Sequence, residues 1–256
     1  MPRLIHQFDN GLKIFDDHLT RFQRDRYQQQ NIHEPEEEKI FVEIIHSLPE
    51  TACFVNIGAA VGYYAILAKK LTPGLTVHAV EPLAQHRKFF RENIKLNKFN
   101  LRDFTLHHEA IACRKGMDYF LEQDYGSVLL NESAVTKTFL QTILEKFTPK
   151  QSDGAKKKSL VHTITLNDLI KRVGRPVDLL MMDVQGLEAD ILHSGTDVLQ
   201  ARKIKTLLIG THGHAVHQSC LFILQQHGFS ISYEQPDPVG QPDGMIHAVL
   251  NNANNG

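Results

Sequence analysis

The sequence predicts an α/β fold, with a mostly parallel sheet, helices on both faces and an antiparallel pair of strands at its C-terminal end. Three observations carry this. From Cys53 onward, short apolar runs alternate with stretches long enough for amphipathic helices, the pattern of repeated βα units. Glycine-bearing or acidic residues follow the apolar runs, where open parallel sheets hold their ligands. The last two apolar runs are joined only by Pro236-Asp-Pro-Val-Gly-Gln-Pro-Asp-Gly244, short enough for antiparallel partners.

Residues 1–50 read as an N-terminal appendage of a hairpin plus a helix. Asn10-Gly11 is a hairpin dipeptide followed by Leu-Lys-Ile-Phe, and Arg21 to Asn31 is a polar stretch. A helix opens at His33-Glu34-Pro35-Glu36, with proline near its start and acids in its first turn. It runs to about Leu48 on the apolar positions Ile40, Phe41, Ile44 and Ile45.

The main domain spans 51–250. Strand Cys53–Ile57 leads to a helix from Gly62 to Leu71, and strand Thr76–Val80 to a helix from Gln85 to Asn97 that offers Phe89, Phe90 and Ile94 to a core. A third strand lies around Phe104–His108, and Met117–Leu121 alternates like a short edge strand. Residues 124–160 are irregular except for a helix over Val135–Phe147. The patch Pro149–Ser159, with Lys156-Lys157-Lys158, reads as a solvated loop. Strand Val161–Thr165, helix Leu166–Arg172, buried strand Val177–Met182 and helix Leu187–His193 follow. Strand Thr206–Ile209, helix Ala215–His227 and the closing strands Ser230–Glu234 and Met245–Leu250 complete the series, and 251–256 is a frayed tail.

Composition narrows the function. The chain has 256 residues and a formal net charge of −1, so there is no electrostatic case for nucleic acid as the main partner. No apolar run approaches the ~20 residues that span a bilayer, and the N-terminus lacks a secretory apolar segment. A cytoplasmic protein with no membrane partner is expected. Three cysteines share no metal-ligand spacing and read as reduced thiols.

Three strand ends carry the chemistry. Asn56-Ile57-Gly58-Ala59-Ala60-Val61-Gly62-Tyr63 is a turn in which Gly58 lets the backbone approach a ligand and Gly62 opens a helix with free N–H groups. A plain strand–helix connection would account for the glycines alone. However, Glu81-Pro82 ends the second strand at a spacing suited to a ribose diol. The glycines are not G-x-G-x-x-G, which favours a ligand without a pyrophosphate, S-adenosylmethionine, over a nicotinamide dinucleotide. The third site is Asp183 in Met182-Asp183-Val184-Gln185-Gly186-Leu187-Glu188, at the end of an apolar strand. Helix capping is its bland alternative.

Together these stretches resemble the FkbM family of S-adenosylmethionine-dependent methyltransferases, in the patterns D-x-G-A-N-x-G-Y-Y, E-P…N…N and K-I-D-V-E-G-x-E. The counterparts here are Asn56 to Tyr64, Glu81-Pro82 with Asn93 and Asn97, and Met181 to Glu188. His33-Glu34-Pro35-Glu36 is similar to the acidic segment that leads into the family's first core helix. The resemblance covers about Gly11 to Val249. It implies a class I methyltransferase (Rossmann-like) fold with a seven-stranded sheet, and O-methylation of a hydroxyl on a sugar or natural-product scaffold. It also implies cofactor contacts from Asn56, Gly58, Ala59, Gly62, Tyr63, Glu81, Pro82 and Asp183, with Ala110 and Ile111 near the adenine. Three positions depart from the family: Asn56 replaces an acid, Ala60 an asparagine and Gln185 a glutamate. Asn56 lacks the charge that would attract the cofactor's sulfonium and amino group, so weaker cofactor binding is expected.

The expected acceptor is a small hydroxylated molecule. A hydroxyl nucleophile benefits from a base, and the candidates are Asp183 and His212, the first histidine of Gly210-Thr-His-Gly-His-Ala-Val-His217. A divalent metal held by Asp183 and His212 is an alternative. A solvated helix start is the commoner meaning of such a histidine run. Tyr125-Gly126-Ser127 is a candidate for the acceptor pocket. A catalytically silent binding protein of the same fold, and a nicotinamide-dependent oxidoreductase, are the competing functions.

Overall fold

The computed structural model describes residues 3–122, 128–129, 157–236 and 243–251. The expected helix Val135–Phe147, the stretch Tyr125–Ser127, most of the loops from Pro149 and Pro236, and the tail 252–256 lie outside the described residues. At the N-terminus, β1 (Ile5–Gln7) and β2 (Lys13–Phe15) form an antiparallel hairpin whose turn holds Gly11 at φ +76°. Helix α1 (Arg21–Gln29) occupies the stretch that reads only as polar in sequence. Its start is fixed by a capping box: the Thr20 hydroxyl accepts from the Gln23 N–H, and the Gln23 side chain accepts from the Thr20 N–H. Helix α2 (Pro35–Ser47) begins with proline in its first turn and three glutamates behind it. The segment expected as an appendage shares a core with the main sheet. Phe8, Leu12, Ile14, Leu19 and Tyr27 are buried in one cluster with Phe54, Ala65 and Leu67.

Repeated βα units follow: β3 (Cys53–Ile57), α3 (Tyr63–Leu71), β4 (Thr76–Val80), α4 (Ala84–Leu96) and β5 (Phe104–His107). The chain then leaves the main sheet. β6 (Ala110–Ile111), β7 (Gly116–Glu122), β8 (Val128–Leu129) and β9 (Lys157–Ile164) make a second, four-stranded sheet in the order β6-β9-β7-β8. The expected edge strand at Met117–Leu121 therefore pairs with β9, antiparallel from Gly116↔Thr163 to Glu122↔Lys157. Its alternation fits this: Met117 and Tyr119 of β7 and Leu160 of β9 face solvent.

The chain returns through α5 (Leu166–Val173), β10 (Val177–Met182), α6 (Glu188–Ser194) and a short α7 (Thr196–Gln200) that the sequence pattern does not announce. It ends with β11 (Ile204–Thr211), α8 (His214–Gln226), β12 (Phe229–Gln235) and β13 (Gly244–Leu250). The main sheet has seven strands in the order β12-β13-β11-β10-β3-β4-β5. β10 lies parallel to both β3 and β11, and β13 is inserted antiparallel between β11 and β12. β10 is buried along its whole length, with Leu180 and Met182 in the core on one face and Leu179 and Met181 in the core on the other. Strand order runs outward in opposite directions from β3 and β10. A crevice therefore opens at their C-terminal ends, the topological switch point of such sheets. Among the described residues, no helix is long and apolar enough to cross a membrane.

Candidate active site

The crevice holds a cavity of about 130 Å³. Its floor is the β3 turn. Gly58, at φ +84°, would place a Cβ 1.9 Å from the Asp183 carbonyl oxygen, so only glycine lets the ends of β3 and β10 come this close. The N–H groups of Gly58 and Ala59 both donate to the Val80 carbonyl, and the Asp183 N–H to the Ile57 carbonyl. Three strand ends are thus laced together beneath the cavity.

Glu81 is buried and serves two backbones at once. One carboxylate oxygen accepts from the Ala60 N–H at 2.9 Å, the other from the Leu83 N–H at 2.8 Å. A carboxylate offers about four lone-pair sites, so accepting these two donors leaves capacity toward the cavity that it lines. Holding two backbone N–H groups and binding a ligand therefore do not exclude each other at Glu81. Asn56, Ala59, Pro82, Ala110 and Ile111 line the same cavity.

Gly62 and Tyr63 also carry structural roles. Gly62 is not among the lining residues. At φ +92° it starts α3, and an added Cβ would meet the Phe90 ring at 2.1 Å, so its absence of a side chain serves helix packing. Tyr63 lines the cavity, but its hydroxyl is committed, donating to Glu38 at 2.6 Å and accepting from Asn10 at 2.8 Å. Tyr64 likewise donates to Glu37. These bonds fasten the N-terminal segment over the site, and Gln23, Tyr27, His33 and Glu34 become cavity walls. Sequence reasoning missed these walls. The Thr20-x-x-Gln23 capping signal and the His33-Glu34-Pro35 helix start were the available clues.

Behind Asp183 lies an acidic cluster. Asp183 opens both to the large cavity and to a small recess lined with Glu34, Glu37 and Asp243. Burial pushes the Asp183 carboxyl up to about 7; His212 opposes this, and Asp243, Glu34 and Glu188 add to it. Glu37 is raised well above the carboxylate range, first by burial and then by Glu34. Gln185, at φ +59°, places its amide 3.4 Å from Asp183, where a glutamate would add another negative charge.

His212, expected as a base, is not among the residues that line the cavity. It is buried with Nδ1 2.8 Å from Glu188, and Glu188 is itself fixed by the Gly186 and Val184 N–H groups. Nε2 lies 3.0 Å from Asp243 and 3.6 Å from Asp183, off the line of a hydrogen bond to either. Burial disfavours the charged ring, but Glu188, Asp243 and Asp183 outweigh it and hold the imidazolium well above its usual range.

A parallel sheet with a ligand cavity at its switch point, floored by a glycine turn and flanked by an acid on the neighbouring strand, defines a Rossmann-like protein of the class I methyltransferase type. Residues 56–231 match the methyltransferase FkbM domain, and the chain belongs to that family. A relative from Jannaschia sp. (strain CCS1) is 25% identical over 175 residues, covering 67% of this chain and 60% of its own length. Methyltransferase sdnD of Sordaria araneosa is 24% identical over 228 residues, covering 80% of this chain and 83% of its own. The fold resembles the crystal structure of methyltransferase FkbM from Methylobacillus flagellatus KT, with a TM-score of 0.53 and 14% identity over 79% of this chain and 45% of that one. It also resembles precorrin-6y C5,15-methyltransferase from Geobacter metallireducens GS-15, with a TM-score of 0.51 and 15% identity over 96% of this chain and all of that one. At such identities the two structures establish the fold alone.

Proposed function

We propose that the protein is an S-adenosylmethionine-dependent methyltransferase that methylates a hydroxyl of a small sugar-like or natural-product-like acceptor. The observation that carries this reading is the joining of Glu81 to the Gly58–Ala60 turn at the wall of one cavity, on the domain that matches the family. The cofactor, when bound, supplies a methyl group already activated for displacement. The residues present fit it. Gly58 clears the backbone for close approach, Glu81 has lone pairs left for a diol, and Ala110 and Ile111 offer an apolar wall for the adenine. Glu34, on the same cavity wall, carries a negative charge in place of the one that Asn56 lacks. The N-terminal wall excludes water, and Asp183 aligns the acceptor hydroxyl as its hydrogen-bond acceptor and receives its proton. Alignment of this kind can supply much of the rate of such a displacement.

Calorimetry with S-adenosylmethionine and S-adenosylhomocysteine tests the reading. Both should bind, and Glu81→Ala should weaken both by more than about tenfold, because it removes the diol partner and frees the Ala60 N–H. Absence of binding by either at millimolar concentration overturns the proposal. Binding without turnover on any hydroxylated acceptor would instead favour a silent member of the fold.

A further inference from the structure

A small recess lies behind Asp183, away from the main cavity. Among the described residues, five buried side-chain nitrogen or oxygen atoms have no hydrogen-bond partner. Two of them bear on this place: Glu37 Oε1, from the wall of the recess, and His212 Nε2, which stands beside Asp183 and Asp243. A buried polar atom left unpaired costs about 1–3 kcal/mol, so unpaired atoms beside a recess call for an occupant. The recess has a volume of about 10 Å³, room for a single water-sized particle. Its walls carry Glu34, Glu37, Asp183 and Asp243, so that particle should be a cation.

The geometry points to a divalent first-row metal ion held by His212 Nε2, Asp183 and Asp243. His212 is only 7% exposed, and its Nε2 stands 3.0 Å from Asp243 Oδ1 and 3.6 Å from Asp183 Oδ1. Ligand atoms bound at ~2.1 Å to one ion stand roughly 3.0–3.4 Å apart, close to these separations. The other ring nitrogen is already provided for. Nδ1 meets Glu188 at 2.8 Å, and the Gly186 and Val184 N–H groups orient Glu188 in turn. A metal-binding histidine is usually oriented in this way by a carboxylate on its second nitrogen. Asp183, Glu188 and His212 each bring a ligand atom within 4.8 Å of the others, so Glu188 could also close on the ion. An imidazole among carboxylates suits Mn²⁺, Fe²⁺ or Zn²⁺ better than the oxygen-seeking Mg²⁺ and Ca²⁺.

Binding itself does not depend on the transferase reading, but its consequence does. An ion on Asp183 would sit at the border of the acceptor cavity and acidify the hydroxyl there, in place of proton uptake by Asp183 alone.

The test is titration of metal-stripped full-length protein with Mn²⁺, followed by the loss of the free-ion paramagnetic resonance signal and by calorimetry. One site per chain is expected. His212→Ala and Asp243→Asn should each weaken it at least tenfold, while His214→Ala, on the exposed start of α8, should not. Circular dichroism on each variant separates loss of the site from loss of the fold, and the unmodified protein decides the matter by itself. No Mn²⁺ binding at low millimolar concentration, or full affinity retained in both site variants, overturns the proposal. S-adenosylhomocysteine binding measured on the same metal-free protein keeps this outcome apart from that of the transferase reading.

Discussion

Gly58 concentrates the architecture of the site in one residue. Its position combines a left-handed backbone, at φ +84°, with a carbonyl 1.9 Å from where a Cβ would stand. Alanine there must force β3 and β10 apart or bend the turn away from Asp183. Gly58→Ala should cost at least about 2 kcal/mol of stability, the sum of the left-handed penalty and the displaced strand end, and should weaken S-adenosylhomocysteine binding by an order of magnitude. Urea denaturation and calorimetry check the two halves, and a variant unchanged in both would show that the turn tolerates a side chain. Ala60 and Gln185 also adopt positive φ, at +45° and +59°. Two of the three departures from the family pattern thus sit where a side chain is least at ease, on the turns that flank the cavity.

Among the elements, α4 does more than cover the sheet. Asn93 is fully buried. Its amide donates to the Val61 carbonyl in the glycine turn, and its oxygen stands within reach of the Phe15 N–H and of His18 Nδ1. Asn97 exchanges two hydrogen bonds with the Lys13 backbone. These asparagines, quoted in the sequence only as part of a family pattern, tie the N-terminal hairpin to the turn that floors the cavity. Asn93→Ala should cost about 2–4 kcal/mol by stranding buried partners, and should speed amide hydrogen exchange of residues 13–18 before the rest of the chain opens. Uniform exchange across the molecule would show that the hairpin is not a separate unit of stability. The sequence announced β3, β4, β10 and β11 because strands buried on both faces are mostly apolar runs. It could not announce that β7 and β9 leave the main sheet, since alternation marks a half-covered strand without naming its partner. Nor could it place Tyr27, His33 and Asp243 at the site, because long-range packing brings them there.

On the scale of the whole molecule, burial acts on charge in two opposing ways. His78 is held neutral, its pKa lowered to about 4 by burial, with His107 and Arg175 adding to it. His18, His107 and His247 are lowered as well, each first by burial. For each of these, the unfolded chain takes up protons that the folded chain refuses. Their contribution to stability is complete above about 6.5 and is lost as the pH falls, for His78 down to about 4. Within the site cluster, Asp183 and His212 act in the other direction. With Asp183 raised to about 7 and His212 raised by its carboxylates, the fold gains protons there that the unfolded chain lacks, and stability is lost as the pH rises. The slope of wild-type stability against pH is therefore a difference between two sets of groups, and a single curve assigns nothing. Substitution isolates one member. His78→Asn keeps a donor toward His107, whose Nε2 lies 3.1 Å from His78 Nδ1, and removes the titration. Between pH about 6.5 and about 4, the variant's stability should fall less steeply than that of the wild type, by up to about 1.4 kcal/mol per pH unit. Urea midpoints across that window measure it, and parallel curves for the two proteins would mean that His78 titrates alike in the folded and unfolded chains.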